Sequence, residues 1–241
     1  MSTDNHGKVY INAHGKPVMR ISEVIRTLGK DQLAVWANIL GFKKIRYKDE
    51  LDRTANIGTM VHGILEDLAD ESTVTELDRF GEFGIYSYSD RLEAMNAVNS
   101  FLLWKKKNED LYKVVATEVV MVGEEVGGTT DVILQSPWHK DRVIIGDYKT
   151  AKAVYLSMYL QAAGYIKLYE ELNGAKTCDG AVIFQLDKHC GTRAKPKFIK
   201  RKAMQKYIDA FEALLVVAKS VKKLEHDLKD DEELFTIKNL F

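Results

Sequence analysis

The chain has 241 residues, which is enough for one large domain with a sizeable core. Hydrophobic residues make up 46% and charged residues 29%, an ordinary globular composition, and no run approaches the roughly 18 apolar residues of a membrane-spanning helix. Lys plus Arg and Asp plus Glu each number 35, so the zero net charge argues against a uniformly basic, non-specific nucleic-acid binder, although basic residues can still cluster locally.

The two cysteines, Cys178 and Cys190, form no C-x-x-C pair. Structural zinc sites and Fe–S clusters normally need more thiolates, so we expect no Fe–S cluster. Reduced thiols are typical of a cytosolic protein. The first 20 residues lack the apolar segment of a signal peptide. We therefore expect a cytoplasmic protein.

The N-terminal part predicts helices after a short polar lead-in that is either flexible or hairpin-like. Residues 21–42 predict two helices, with Ser22 as the N-cap of the first and Gly29 between them. Residues 43–57 are charged and predict either a loop or the start of another helix.

Two amphipathic helices are predicted next. Residues 58–70 have apolar side chains at spacings of three and four, and residues 88–110 have a similar stripe that ends in three lysines, which suit a helix C-terminus. The apolar residues that we expect on the buried faces are Val61, Ile64, Leu65 and Leu68 in the first helix and Leu92, Met95, Val98, Phe101 and Leu102 in the second.

The chain then becomes rich in β-branched residues. Residues 112–122, 127–136 and 141–150 predict three strands, and the intervening GEEV and PWHK segments have turn chemistry. Connections this short favour an antiparallel meander. A helix at 155–174, which ends in a glycine, and a strand at 179–188 follow.

A basic loop and a long helix at 202–228 complete the predicted elements. Their order indicates a mixed α/β (α+β) protein built on one sheet. We expect a single domain, residues 1–241, with an N-terminal helical lead-in at 1–55, a core at 56–190, and a basic loop and C-terminal helix at 191–241.

Asp147 and Lys149 form the first candidate site. They are two positions apart on the strand at 141–150, so both point to one face of the sheet. If this strand pairs with the one at 127–136, Asp131 comes beside Asp147. Facing carboxylates repel unless a cation lies between them, and Mg²⁺ suits oxygen ligands. Lys149 would then orient or activate a water, or stabilise charge on a phosphate oxygen.

A plain surface ion pair is the alternative for Asp147 and Lys149, because exposed Asp–Lys pairs are common. The chain contains a second D-x-K triplet, Asp227 and Lys229, in the charged C-terminal helix, where we expect a solvated face. The residues alone leave both interpretations of the first triplet open.

Four more residues bear on this site. Gly127 and Gly128 indicate either a close approach of another chain segment or a simple turn. Glu118 is in the middle of a predicted strand, where it faces either the same site or solvent. His62 is either a structural helix residue or a metal ligand, and imidazole suits Mn²⁺ better than Mg²⁺.

Five short motifs, GTMVH, TEVVM, GGTTD, GDYKT and QAAGY, occur in this order along the chain. In this combination the chain resembles the PD-(D/E)XK nuclease superfamily, and within it the RecB-like exonuclease branch with its phage and prophage members. The segment at 21–42 is also similar to the N-terminal helices of that branch. The resemblance implies a restriction-endonuclease-like core: a central mixed sheet containing an antiparallel three-strand meander, flanking helices, and extra N-terminal helices.

The resemblance also implies metal ligands. Asp131 and Asp147 match the acidic ligands, the backbone carbonyl of Tyr148 is the usual additional one, and His62 matches the helical histidine that lies in or near the metal shell. These positions imply Mg²⁺ as the cofactor, with Mn²⁺ as a possible substitute.

Catalytic and substrate roles follow from the same resemblance. Lys149 matches the catalytic lysine and acts with Asp147 and Asp131, and Glu118 matches an acidic position that acts through metal-bound water or around the ligands. Gln161 and Tyr165 of the QAAGY motif match a Q-x-x-x-Y pair that contacts substrate. The alternative for these two residues is a hydrogen bond between them together with core packing. The expected substrate-binding residues are Gln161, Tyr165, Thr150, Lys195, Lys197 and Arg201.

The chain departs from parts of that superfamily. It lacks the cysteine set of Fe–S-containing relatives, and it has no Walker A motif, so any helicase motor would be a separate chain. Basic residues cluster at 43–48 and 188–202, which we expect to contact DNA phosphates unless they are simply solvated. Phe198 is a candidate for stacking on bases.

The expected function is metal-dependent DNA exonuclease activity on linear ends, in phage or prophage recombination, repair or processing. The expected partners are DNA, a single-strand annealing or recombination protein, and further copies of this chain, but no membrane. The alternatives are a catalytically silent DNA-binding or recombination-assembly protein with the same fold, and a structure-specific endonuclease. The host would be a bacterial or phage-infected cell.

Overall fold

The computed structural model describes residues 9–29, 31–69 and 85–234. Its central feature is a seven-stranded mixed sheet with helices on both faces. The strands are β1 (Tyr10–Ile11), β2 (Pro17–Arg20), β3 (Val114–Val122), β4 (Val126–Gln135), β5 (Val143–Lys149), β6 (Cys178–Gln185) and β7 (Lys195–Lys200). Residues 1–8 of the predicted lead-in, and the Lys229 side chain needed for the Asp227 comparison, lie outside this description.

Six helices are present among the described residues. They are α1 (Ile21–Arg26), α2 (Asp31–Phe42), α3 (Tyr47–Ala69), α4 (Tyr88–Lys107), α5 (Leu156–Asn173) and α6 (Arg201–Leu234). Gly29, with φ of 71°, lies between α1 and α2 as predicted. In the described part of the chain, no helix is both long and apolar enough to cross a membrane.

The predicted antiparallel meander is confirmed, because β4 pairs antiparallel with both β3 and β5. Tight turns explain the pairing: Gly123 donates to Val126 between β3 and β4, at 2.9 Å. α5 then carries the chain over the sheet, so β6 pairs parallel with β5, and β7 pairs antiparallel with β6. The predicted mixed α/β class is therefore confirmed.

β4 forks the sheet. β3 pairs with β4 along one edge, from Gly127 to Leu134. β2 pairs with Val126 and Gly127, and β5 pairs with residues 132–135. Since β3 occupies one edge of β4, β2 and β5 must share the other. Residues 128–131 lie between these two contacts, and we call this stretch the fork.

Two hydrophobic cores hold the layers together. The first core lies between the sheet and α1, α5 and α6, and the second lies between the sheet and α3 and α4. Side chains alternate along the strands, so Ile145 of β5 enters the first core while Ile144 and Tyr148 enter the second. The sheet therefore separates two apolar layers, and the fork lies where it is incomplete.

Several local predictions are wrong in instructive ways. Arg20, not Ser22, is the N-cap of α1, because β2 passes into the helix without a linker. Glu23 still serves the first turn, and its carboxylate accepts from the Arg20 backbone N–H at 3.0 Å. Leu92 is 48% exposed, although Val98 and Phe101 of the same predicted face are buried as expected, because α4 buries Ala94 and Ala97 beside them.

The basic segment predicted as a loop contains β7, whose K-P-K-F-I-K sequence hides its strand character. α3 is a single helix that begins at Tyr47 and crosses the expected boundary between residues 55 and 56. β1 and β2 lie within residues 1–55 and β7 lies within 191–241. The one sheet thus takes strands from all three predicted segments.

Candidate metal centre

Two buried aspartates lie at the fork. Asp131 is the last fork residue of β4 and is 8% exposed, while Asp147 of β5 is 1% exposed. The ladder pairs Val132 with Gly146, so Asp131 and Asp147 are at the next position of each strand. The hairpin therefore brings the two carboxylates to neighbouring places, as the sequence predicts.

α3 contributes an imidazole to the same place. His62 Nδ1 lies 3.3 Å from Asp131 Oδ1 and 3.7 Å from Glu118 Oε1. One donor atom from each of these three residues lies within 4.8 Å of the other two. Donor atoms this close can share one cation, and we call His62, Glu118 and Asp131 the donor cluster.

Glu118 enters the cluster from an unusual backbone conformation. Its φ is +46°, in the left-handed region that costs about 1–3 kcal/mol for a non-glycine residue. Thr117 lines a cavity on the second-core side, yet Val119, two residues later, packs against the first core. Strand residues two apart normally face the same way, so β3 switches faces at Glu118. The switch aims the carboxylate at the fork.

Asp147 contacts Lys149 rather than the donor cluster. Lys149 Nζ lies 2.6 Å from Asp147 Oδ2 and forms an ion pair with it. Among the described residues, the other oxygen, Asp147 Oδ1, has no hydrogen-bond partner, although it is buried. A buried carboxylate with unused lone pairs beside three other donors is what a cation site requires.

Burial and mutual repulsion set the protonation of these groups. Burial raises the pKa of Asp147 to about 6, Lys149 opposes that rise, and the Asp131 charge adds to it. Burial also acts to raise the pKa of Asp131, but the charge and hydrogen bond of His62 hold that pKa below its ordinary value. The Tyr148 backbone N–H donates to Asp131 Oδ2 at 2.5 Å and acts in the same direction.

His62 and Lys149 supply the compensating positive charge. Burial alone would lower the pKa of His62, but Asp131 and Glu118 outweigh it and raise that pKa to about 10. Burial likewise acts against the Lys149 ammonium, and Asp147 and Asp131 outweigh it to raise its pKa. A proton on His62 therefore occupies the position that a divalent cation would take.

The donor set fits a hard divalent cation. Carboxylate oxygens from Asp131, Asp147 and Glu118 suit Mg²⁺, and the His62 nitrogen favours Mn²⁺. The ring of Tyr148 turns into the second core, 6.0 Å from the His62 ring centre. A ligand role for the Tyr148 carbonyl stays a prediction.

The Q-x-x-x-Y pair lies beside the fork. Gln161 Nε2 donates to the Tyr165 hydroxyl at 3.1 Å. A Cβ at Gly128 would lie 2.7 Å from the Tyr165 ring, so the glycine is required for this approach. Burial, followed by the charges of Asp147 and Asp131, raises the pKa of Tyr165 well above its ordinary value. Substrate contact by either residue stays a prediction.

The predicted basic contacts fall in different surroundings. Lys195 and Lys197 are exposed on β7, and Thr150 follows β5 directly. Arg201 is engaged by Glu170, with Arg201 Nε 3.0 Å from one carboxylate oxygen and Nη2 2.9 Å from the other. This pairing leaves the lysines freer than Arg201 to meet a phosphate. Phe198 stacks on Tyr112 at 4.9 Å, against the second core.

Sequence reasoning missed two features around the site. Tyr10 of β1 packs where a Gly127 Cβ would be, and its hydroxyl hydrogen-bonds Thr129 of the fork at 3.0 Å. The second feature is the left-handed backbone conformation of Glu118. The sequence signal for it was weak: a charged residue within an otherwise apolar strand.

Comparison with known proteins gives one match. A family model described as the PD-(D/E)XK nuclease superfamily matches residues 35–234, a range that holds α3, α4, α5 and strands β3 to β7. The match therefore includes the whole donor cluster together with Asp147 and Lys149. A search of curated proteins found no match.

Proposed function

The chain belongs to the PD-(D/E)XK nuclease superfamily, and from this premise we propose that it is a metal-dependent DNA exonuclease of the RecB-like, phage-type branch. Members of the superfamily are metal-dependent nucleases, and the forked mixed sheet with helices on both faces is consistent with their restriction-endonuclease-like fold. Nuclease activity follows from the family, whereas exonuclease activity and the branch are part of the proposal.

The observation that carries the proposal is the donor cluster beside Asp147 and Lys149. Three strands and one helix from separate parts of the chain deliver three carboxylates, one imidazole and one ammonium to the fork. Bringing five ionisable groups together, with Asp131 and Asp147 buried and the others half-buried, is costly unless they serve a ligand or a reaction. We propose Asp131, Asp147 and His62 as direct ligands and Glu118 as a ligand or the holder of a ligating water.

The residues of this site have separable tasks. A divalent cation bound there would neutralise negative charge on the scissile phosphate and on the leaving oxygen. Lys149 has a raised pKa and is protonated at neutral pH, so it donates to the attacking water or a phosphate oxygen rather than removing a proton. Asp147 holds the Lys149 ammonium in place through its Oδ2 contact. We also propose that Gln161 and Tyr165 contact the substrate, which their hydrogen bond and the close approach of the Tyr165 ring to Gly128 of the fork support.

The finer parts of the proposal concern context. We propose that linear DNA ends are the substrate, that the protein works in recombination, repair or processing of phage or prophage DNA, and that it does so in the cytoplasm of a bacterial or phage-infected cell. A single-strand annealing or recombination protein and further copies of this chain are the proposed partners. The motif resemblance supports these points.

One digestion experiment tests the enzyme. Wild-type protein, Asp147→Ala and Lys149→Ala are incubated with end-labelled linear DNA and closed circular DNA, with Mg²⁺, with Mn²⁺ and with neither. We expect wild-type protein to shorten the linear DNA only when a metal is added, and each variant to lose at least about a hundredfold in rate. Asp227→Ala, at an exposed aspartate of α6, is the control and should keep wild-type activity.

The same experiment separates the alternatives. Cutting of closed circles would make the protein an endonuclease. Wild-type protein that binds DNA but leaves every substrate intact with either metal would identify a silent DNA-binding or recombination-assembly protein and refute the enzyme proposal.

A further inference from the structure

Two half-buried tyrosines and two exposed lysines form a group, two strands across the sheet from Asp147, that the proposed chemistry does not use. The rings of Tyr159 on α5 and Tyr207 on α6 are stacked, with centroids 5.0 Å apart and planes 18° from parallel. Lys197 Nζ of β7 lies 5.4 Å from the Tyr159 ring centre. Lys195 is two residues earlier on the same strand. We call these four residues the tyrosine–lysine patch.

The sheet register places this patch in line with the metal centre. Asp147 pairs with Ile183, and Ile183 pairs with Lys197. The next row runs from Lys149 through Gln185 to Lys195. Residues paired in this way point to the same face, so Lys195 and Lys197 share the face of Asp147 and Lys149. Adjacent strands are about 4.8 Å apart. Each row crosses two such spacings from β5 to β7, so its two ends are about 10 Å apart.

The chemistry of the patch differs from that of the cores around it. Tyr207 packs its inner side against the first core, while Tyr159 and Tyr207 both stay half-buried. Both lysines are exposed. Contact with Tyr159 raises the pKa of the Lys197 ammonium. A flat aromatic face next to two cations offers a base-stacking surface and phosphate contacts within one short strip.

An ordinary structural explanation covers only part of this arrangement. β7 is the last strand of the sheet path, and lysines with a proline on an edge strand prevent unwanted strand pairing. That role explains the sequence K-P-K of Lys195 to Lys197. It does not require two stacked tyrosines from two different helices under the Lys197 side chain.

We propose that the tyrosine–lysine patch binds a single-stranded DNA segment that continues from the metal centre. A base stacks on the face of Tyr159 that Tyr207 does not cover, once the exposed Lys197 side chain turns away from that ring to a neighbouring phosphate, and Lys195 contacts the next phosphate. This inference rests on the proposed function for what happens at the metal centre. Because bases in a duplex are already stacked on one another, the patch selects unpaired DNA. The protein therefore takes a single-stranded end or overhang, or opens the end of a duplex.

The separation of the two sites gives the position of the bound base. The backbones of β5 and β7 are about two strand spacings, or about 10 Å, apart. The stacked base therefore lies within a few nucleotides of the scissile phosphate, so oligonucleotides too short to reach the patch bind weakly.

The test compares two lysines of one strand. Lys197→Gln removes a patch cation, and Lys200→Gln removes an equal charge three residues away. Lys200 belongs to the basic segment 188–202, but it lies on the opposite face of β7, 5.5 Å from the Trp138 ring centre, so we assign it to the solvated alternative and use it as the control. Tyr159→Leu removes the aromatic face, and Tyr159→Phe restores it. Each change is made in a Lys149→Ala background, so that Mg²⁺ can be present without the DNA being consumed. Fluorescence anisotropy then measures binding to a fluorescein-labelled single-stranded oligonucleotide and to a blunt duplex.

We expect Lys197→Gln and Tyr159→Leu each to weaken binding of the single strand by about tenfold. Lys200→Gln and Tyr159→Phe should stay within about twofold of the background protein. The duplex should show a smaller loss with Tyr159→Leu than the single strand does. Equal losses of single-strand affinity in Lys197→Gln and Lys200→Gln, or unchanged affinity in Tyr159→Leu, would refute single-strand binding by the patch. Circular dichroism melts confirm that each variant is folded.

The outcomes also separate this inference from the proposed enzyme. If wild-type protein cuts DNA, and Tyr159→Leu leaves binding unchanged in the Lys149→Ala background and leaves cutting unchanged when made alone, the patch is refuted and the nuclease stands. If wild-type protein never cuts but single-strand binding still depends on Tyr159, the patch stands and the nuclease fails. A 2-aminopurine base moved along the oligonucleotide and quenched most strongly at one position within a few nucleotides of the cut locates the stack directly.

Discussion

Glu118 shows how one residue can set the geometry of the whole site. Its left-handed backbone turns β3 from one core to the other and delivers a carboxylate to the fork. Such conformations persist only where the surrounding structure enforces them, and they cluster at functional sites. Placing the Glu118 carboxylate at the fork therefore lowers the stability of the folded protein through backbone strain.

The cost can be measured with a matched pair of variants. Glu118→Gly and Glu118→Ala both remove the carboxylate, but only glycine adopts φ of +46° without strain. We expect the glycine variant to be more stable than the alanine variant by about 1 kcal/mol in urea unfolding. This order reverses the usual preference for alanine in strands. An alanine variant as stable as the glycine variant would show that the backbone is not strained.

The sequence predicted the chemistry of individual residues better than their conformations. Asp131, Asp147 and Lys149 were identified because residue type and strand position are local properties. His62 could not be joined to Asp131 by spacing alone, because α3 and β4 meet only after the sheet has formed. The pairing of Arg201 with Glu170 is equally non-local, and it changes what Arg201 is free to do.

At the scale of elements, the β4–β5 hairpin is tied to the start of β6 by one carboxylate. Asp179 accepts from the Ser136 hydroxyl, lies 2.7 Å from His139 Nδ1, and pairs with Arg142 at 3.2 Å. Burial acts to raise the pKa of Asp179, but these three partners outweigh it and hold that pKa below its ordinary value. The contact fixes the β4–β5 turn against β6 at the end of the sheet away from the metal centre.

The pH dependence of this contact has a definite sign. Because the Asp179 pKa is lower in the folded protein than in the unfolded chain, its stabilisation is complete above the unfolded value and is lost as the pH falls through the folded value. We expect Asp179→Asn to lower the free energy of unfolding by about 1–3 kcal/mol at neutral pH, and by much less in acid. Urea unfolding at both pH values measures the difference. Asp141→Asn, exposed in the same turn, is the control, and an equal loss at both pH values would contradict the assignment.

Elements were predicted unevenly. Long periodic helices and β-branched strands were recognised, because their patterns repeat within one segment. β7 was missed because its lysines and proline look like a loop, and the strand exists only through pairing with β6. Leu92 was misplaced because α4 buries small residues, Ala94 and Ala97, against α3 where larger ones would not fit.

At the scale of the whole molecule, α6 extends past the body of the protein. Its inner face enters the first core from Met204 to Ala218. From Val217 onward an exposed apolar stripe continues towards the C-terminus at spacings of four, three and four, the pattern of a helix-to-helix seam. Its members are Val217, Val221, Leu224 and Leu228, which are 38–63% exposed.

This stripe supports the proposed self-association. We expect wild-type protein to form a species larger than the monomer in light scattering, and Leu224→Glu with Leu228→Glu to return it to the monomer, because buried charges disrupt a helical seam. Leu172→Glu, at an exposed leucine of α5, is the control. A wild-type protein that stays monomeric over the whole concentration range would refute a role for the stripe.

The sequence by itself determined the order and type of most elements, the meander, and the identity of the acidic and basic residues at the strand ends. These depend on periodicity, turn chemistry and residue type, which act within a few positions of the chain. The family motifs were legible for the same reason, since each is a short local pattern.

The tertiary structure alone decided which of those residues meet. The fork in β4, the face switch at Glu118 and the crossing of α3 bring His62, Glu118 and Asp131 together from three separate elements. The register through β6 likewise places Lys197 in line with Asp147. Tyr159 and Tyr207, from two different helices, stack on each other next to Lys197. Such contacts join residues far apart in sequence, and they are set by how the sheet and its two cores pack as a whole.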